Sequence, residues 1–405
     1  MKYVVVLGDG MSDRPLRELG NRTPLEAAST EYMDYIAANG RCGLLKTLRE
    51  GLPAGSDVAN LIVLGYDPVR YHLRGRAPLE AASIGIKLSG EETAYRCNLI
   101  TVEDGRITDH SGGHITSREG LELIKAVGKR FGGEDINFYP GVSYRNILVL
   151  GGRYNGDVKC MPPHDIIGQR LDENLVKPLS EGGRETAEFL NDMMKDSISL
   201  LENHPVNLRR EKGGQSKANC LWFWGQGKRL KMPSFREKYN LDGALISAVD
   251  LLKGIGHYLG MEVLDVPGAT GYLDTNYEGK ADYALNALRN NDFVYVHVES
   301  TDEASHEGSI EKKIKALEDL DRRLVGRIIK GLDDIDDDVS IAVLPDHSTP
   351  IKERTHTLDL IPFAIYNPLT RGDDIKKYSE KEAVNGYYGV RDGLEFIKLL
   401  LSNND

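Results

Sequence analysis

The chain has only four cysteines, Cys42, Cys97, Cys160 and Cys220, and no two of them stand in a CxxC spacing. That excludes a zinc knuckle and a disulfide framework, and it fits reduced, structural thiols. Also missing is any apolar run near the ~18 residues that a membrane span needs. The opening run, Tyr3 to Leu7, is too short for a signal-peptide core and leads straight into Gly-Asp-Gly, so the expected location is the cytoplasm. Positive charge is short as well: 51 Lys and Arg stand against 62 Asp and Glu, a formal net charge of −11. The surface as a whole therefore repels nucleic acid phosphates, and no nucleic-acid partner is expected. An anionic small molecule remains admissible, because a bound metal ion or an arginine cluster reverses the field inside a cleft. No heptad pattern, internal repeat or low-complexity tract is present, so nothing in the pattern sets an oligomeric state.

What is present reads as a folded two-body protein. At 405 residues the chain is longer than one ordinary core accommodates, and its 40% apolar and 28% charged residues are normal globular usage. Short Val- and Ile-rich runs alternate with longer helical patterns, the signature of βαβ units feeding a mainly parallel, doubly wound α/β sheet. Strands are predicted at Tyr3 to Leu7, Phe293 to Val298, Val339 to Leu344 and Ile361 to Tyr366. From about 86 to 234 the texture changes to Gly-rich turns, an amphipathic stretch near 183 to 203, and the neighbouring Trp222 and Trp224. This segment is predicted to be a smaller inserted α/β domain, so that 1–85 and 235–405 form the main body and 86–234 the insert.

The first three predicted strands each run into a polar cluster: Gly-Asp-Gly at 8 to 10, Glu-Ser-Thr-Asp at 299 to 302 and Pro-Asp-His-Ser at 345 to 348. In open parallel sheets ligands bind beyond the carboxyl ends of the strands, so these three clusters are expected to converge. With the residues just downstream they supply Asp9, Asp302, His306, Asp346, His347 and His356. Carboxylate and imidazole without thiolate suit Mn, Co, Zn or Mg, and the number of ligands is enough for two divalent ions. Paired ions stabilise both the attacking and the leaving oxygen of an in-line displacement. Taken singly, Asp9 also reads as a turn residue, and Asp302 with His306 as a helix cap and its neighbour.

Ser56 is the candidate nucleophile. It follows Leu-Pro-Ala-Gly at 52 to 55 and precedes a helical pattern beginning near Val58, where free N–H groups and the helix dipole favour an anion. The Ser-Asp pair alone equally fits an ordinary N-cap. A neighbouring metal ion would favour the catalytic reading, because it lowers the hydroxyl's pKa.

Asp9-Gly10, Gly55-Ser56-Asp57, the Thr301 to His306 segment, Asp346-His347 and Thr355-His356-Thr357 together resemble the archaeal branch of the cofactor-independent phosphoglycerate mutases, of the alkaline phosphatase superfamily. Further matching stretches are 65–68 (Gly-Tyr-Asp-Pro), 75–82, 95–98, 204–207 and 268–276, so the resemblance spans the whole chain. It implies an alkaline-phosphatase-like fold and interconversion of 3-phosphoglycerate and 2-phosphoglycerate in glycolysis and gluconeogenesis. The route implied is a phosphoserine at Ser56, with no bisphosphoglycerate cofactor. One metal ion would be held by Asp302, His306 and His356, and the other by Asp9, Ser56, Asp346 and His347.

A bare site would let water take the phosphoryl group, so the insert is expected to exclude water and grip the glycerate. Arginine forks suit its carboxylate. Candidates are Arg96, His114, Arg145, Arg209 and Arg210 in the insert and Lys253 in the main body. Two other functions remain in view: a metal-dependent phosphatase or phosphotransferase acting on another small phosphorylated alcohol, and an inactive scaffold. Release of inorganic phosphate would mark the former; absence of a ligand type, which is not the case here, would mark the latter.

Overall fold

The computed structural model describes residues 1–71 and 73–402. The chain divides into two compact units, Met1–His72 with Met232–Asp405, and Leu73–Lys231. The first unit is built on an eight-stranded sheet in the order Glu262–Leu264, Gly243–Ile246, Phe293–Val298, Lys2–Gly8, Val339–Leu344, Ile361–Tyr366, Arg41–Lys46, Gly389–Asp392. The first five of these are parallel, and all but the edge strand Glu262–Leu264 are buried on both faces, as expected of apolar parallel strands. Val4, Val6, Val294, Val296, Ile341 and Val343 pack on one face against helices Glu31–Asn39 and Tyr277–Leu288. On the other face Tyr295 reaches helix Ser56–Val63 through Asn60.

Register decides where the chemistry falls. Gly8 lies opposite Val298 and Leu7 opposite Leu344, so the three central strands end together and their polar clusters start at one level. Strand Ile361–Tyr366 runs antiparallel to both its neighbours. Its amino end therefore sits beside the carboxyl end of strand Val339–Leu344, and the segment leading into it carries His356 to the same edge.

The second unit has an antiparallel sheet centred on Thr93–Glu103, which pairs with Arg145–Leu150, Cys220–Lys228 and Arg106–Asp109; Ile136–Tyr139 adds to Arg145–Leu150. Its core joins Trp222 and Phe223 to helices Ser117–Phe131 and Arg184–Glu202, the latter being the amphipathic stretch near 183 to 203. The chain passes into this unit at 73 rather than 86, and leaves it at 231 rather than 234. The cause lies in helix Ala77–Ser83, whose Ala77 and Ala81 pack on Ala94, Ile147 and Val149. Among the described residues no helix is long and apolar enough to cross a membrane.

Candidate metal centre

The strand ends of the first unit gather two groups of ligand atoms. Asp302 Oδ2 lies 2.9 Å from His306 Nε2 and 3.7 Å from His356 Nε2, and the two imidazole nitrogens are 3.2 Å apart. Around His347 Nε2 stand Ser56 Oγ at 3.2 Å, Asp9 Oδ1 at 3.3 Å and Asp346 Oδ2 at 3.5 Å. Ligands about 2.1 Å from a shared ion in tetrahedral array are roughly 3.4 Å from one another, the spacing seen in both groups. Asp9 is fully buried, and its Oδ1 has no hydrogen-bond partner. A buried carboxylate oxygen left without a donor is costly unless a cation meets it, so the donor set fits divalent metal. Further groupings with ligand atoms within 4.8 Å join Asp302, His347 and His356, and Asp9, His297 and Glu299.

The histidines are oriented by what their other nitrogen touches. His306 Nδ1 donates to Arg354 O at 2.8 Å, and His356 Nδ1 donates to Ala54 O at 3.0 Å. His347 Nδ1 meets Thr349 Oγ1 at 3.1 Å, while that hydroxyl gives its proton to Asp302 Oδ1 at 2.6 Å. Thr349 can then only accept from His347. All three Nδ1 atoms carry a proton, so Nε2 is the nitrogen each ring turns to the cluster, available to a metal ion once any proton there is given up.

Charge in the cluster is unbalanced without a cation. Burial, followed by repulsion from Asp346 and Asp302, pushes the Asp9 carboxyl well above the usual carboxylate range. Burial likewise raises Asp346, and it drives His347 well below the ordinary imidazole value, with His356 adding to the effect. Asp302 goes the other way: burial would raise it, but hydrogen bonds from His306 and His356 outweigh burial and hold it well below the usual value. The Asp302 hydrogen bond raises His306 to about 9. In the metal-free protein His306 therefore keeps its proton, with a stabilising effect that is complete below the ordinary value near 6.5 and lost as pH rises through about 9. A cation must displace that proton. Mn²⁺ affinity of the metal-free protein should thus climb about tenfold per pH unit between pH 7 and 8.5, with proton release on binding. Calorimetry in buffers of different ionisation enthalpy reads that release. Affinity flat across this range would show that His306 holds no such proton.

Several participants carry no motif in the sequence. Asn60 Nδ2 donates to Ser56 O and Asp346 Oδ2, both at 2.8 Å, and Tyr295 donates its hydroxyl to Asn60 Oδ1 at 2.6 Å. The tyrosine fixes which way the amide faces, so one side chain ties the serine turn to a ligand carboxylate. Thr301 hydrogen-bonds the Asp9 carbonyl, and Gly10 N donates to Asp346 Oδ1 at 3.2 Å. Gly10 has φ +57°, and a Cβ there would come 2.3 Å from Asp302 Oδ1, so no side chain fits. The available signals were a tyrosine and a histidine two residues apart in an otherwise apolar strand, and a polar residue one helical turn after Ser56.

The remaining candidates are spread apart. Lys253, in the first unit, pairs with Asp265 at 2.6 Å. In the second unit Arg96 is nearly buried: its guanidinium lies over the Trp224 ring at 4.2 Å. Its Nε is 2.9 Å from Glu80 Oε2 but out of line for a hydrogen bond, so charge holds that pair. Arg145 is exposed beside the Tyr144 ring, and Arg209 is exposed and paired with Glu122 at 3.2 Å. Arg210 corrects the expectation of a substrate fork: it is 2% exposed and donates to Ser216 O, Gly112 O, Gly113 O and Glu119. Its role is to brace the turn from which His114, at φ +52°, projects into solvent.

Comparison with known proteins gives consistent findings. A family model described as 2,3-bisphosphoglycerate-independent phosphoglycerate mutase matches residues 37–207. The chain is 51% identical over 402 residues to the protein of that name from Methanosarcina barkeri (strain Fusaro / DSM 804), covering 99% of each chain. Among solved structures, one from Pyrococcus horikoshii superposes with a TM-score of 0.83 at 31% identity, covering 99% of this chain and 97% of that one. The cofactor-independent phosphoglycerate mutase from Thermoplasma acidophilum DSM 1728 gives a TM-score of 0.69 at 28% identity, with 99% of each chain covered.

Proposed function

The chain belongs to the family of 2,3-bisphosphoglycerate-independent phosphoglycerate mutases, and on that premise we propose that Ser56 carries the phosphoryl group between two hydroxyls of one glycerate. The reaction is the isomerisation of 3-phosphoglycerate and 2-phosphoglycerate. The observation that carries the proposed route is the placement of Ser56 Oγ, 3.2 Å from the same His347 nitrogen that Asp9 and Asp346 approach.

In the first half of the reaction the phosphorus–O3 bond breaks and a phosphorus–Oγ bond forms; Oγ loses a proton and O3 gains one. In the second half phosphorus moves from Oγ to O2, with the protons returned, so no water is consumed. Asp302, His306 and His356 would hold one divalent ion and Asp9, Ser56, Asp346 and His347 the other. Bound there, the ions lower the serine pKa and neutralise charge on the transferring group. Ser56 opens helix Ser56–Val63, whose first-turn N–H groups and dipole favour the phosphoryl oxygens. Asn60 keeps the serine turn and Asp346 in fixed relation. Of the two exposed arginine candidates, Arg209 is already paired with Glu122, so Arg145 is assigned to the glycerate carboxylate, with the exposed His114 as a donor to a hydroxyl.

The test is an assay of Mn²⁺-loaded protein on 3-phosphoglycerate without added bisphosphoglycerate. Accumulation of 2-phosphoglycerate with phosphate release under a tenth of turnover is expected. Stoichiometric release of inorganic phosphate would instead identify a phosphatase.

A further inference from the structure

His297 lies inside strand Phe293–Val298 and is fully buried, yet it touches Asp9. Its Nε2 is 2.9 Å from Asp9 Oδ2 and 3.6 Å from Glu299 Oε2. Its Nδ1 is 3.1 Å from Ser247 Oγ, and Ser247 is itself buried. Two readings compete: a third imidazole ligand in a cation site with Asp9 and Glu299, or a donor that holds Asp9 from behind.

The hydrogen bonds distinguish them. Ser247 Oγ accepts from Val249 N at 3.0 Å, and among the described residues the acceptor within reach of its own proton is His297 Nδ1 at 3.1 Å. With Nδ1 accepting, the ring proton sits on Nε2 and points at Asp9 Oδ2. This tautomer is the reverse of the one in His306, His347 and His356, whose Nδ1 atoms donate away from the cluster and whose Nε2 atoms face it. Lys280 Nζ donates to the His297 carbonyl at 2.9 Å and pins the backbone at this point. Charge agrees as well: Asp9, Asp302, Asp346 and Glu299 bring four negative charges, which two divalent ions balance and three would exceed.

We propose that His297 is a positioning residue: with Ser247 setting its tautomer, it occupies Asp9 Oδ2 with an N–H donor and leaves Asp9 Oδ1 as the single free oxygen for the metal beside Ser56. The inference rests on the two-ion reading above. A carboxylate tied at one oxygen loses its choice of which oxygen to present and the freedom to swing, which is how outer partners raise the affinity of a metal ligand.

The experiment is Mn²⁺ titration calorimetry on the metal-free full chain, with metal content by elemental analysis, comparing the parent with His297→Leu and His297→Gln. The glutamine amide can still donate to Asp9; leucine cannot. The expected result is two equivalents bound by all three proteins, with one site weakened about 10- to 100-fold in H297L and within about threefold of the parent in H297Q. Unchanged affinity in H297L overturns the proposal while leaving the two-ion site standing. A parent that binds three equivalents and an H297L that binds two identifies the third-cation reading instead. A parent that binds no Mn²⁺ ends both. If H297L does not fold, Ser247→Ala takes its place: it frees the tautomer, so a weakened site is expected there too and an unaltered one refutes the idea.

Discussion

Ser56→Ala is expected to lower kcat by about 10⁴-fold or more, the scale on which loss of a covalent nucleophile is felt. The backbone carbonyl of residue 56 still receives Asn60 Nδ2, and three of the group's four ligands, Asp9, Asp346 and His347 itself, remain, so folding and most metal binding should persist. Nearby hydroxyls offer no substitute. Thr349 gives its proton to Asp302, and Thr301 gives its own to the Asp9 carbonyl. Incubating the parent with phosphoglycerate should add one phosphoryl group to the intact mass, localised to Ser56, and the variant should show none. Turnover within tenfold of the parent would rule out the phosphoserine route.

Asp302→Asn is the second large effect, expected to cost one metal equivalent and about 10³-fold or more in kcat. The amide matches the shape but removes the only anionic member of the group with His306 and His356. It also removes the cause that raises His306 to about 9. Proton release on metal binding near neutral pH should therefore shrink together with the stoichiometry, a linked pair of changes that general destabilisation would not produce. Elemental analysis and buffer-dependent calorimetry measure the two. Full metal content in D302N would show that Asp302 is not a ligand.

The arrangement also shows why the two nitrogens of a histidine matter more than the presence of a histidine. His306, His347, His356 and His297 all border the cluster, yet only the first three hold their fixed proton on Nδ1 and turn to it an Nε2 that can become a ligand. The difference lies in a main-chain carbonyl or a committed threonine behind the three, against a serine proton donor behind the fourth. Such partners come from loops far away in the chain, Arg354, Ala54 and Ser247 among them, and have no regular spacing.

The parallel core and its reactive edge follow from sequence alone, because strands covered on both faces must be runs of Val, Ile and Leu, and polar residues can begin only where those runs stop. Asp9, Asp302 and Asp346 therefore announce themselves at strand ends, and the helical spacing after Asp302 brings in His306. Tertiary structure decided the rest. Helix Ala77–Ser83 has an apolar face that either unit could have covered, and packing on Ala94 and Ile147 assigns it to the second unit. Arg210 resembles any surface arginine until the fold wraps carbonyls around it. Asn60 and His297 become partners of Asp346 and Asp9 only when the sheet sets strands side by side in register. Burial patterns are local and leave a periodic trace, whereas a hydrogen bond between residues hundreds of positions apart leaves none.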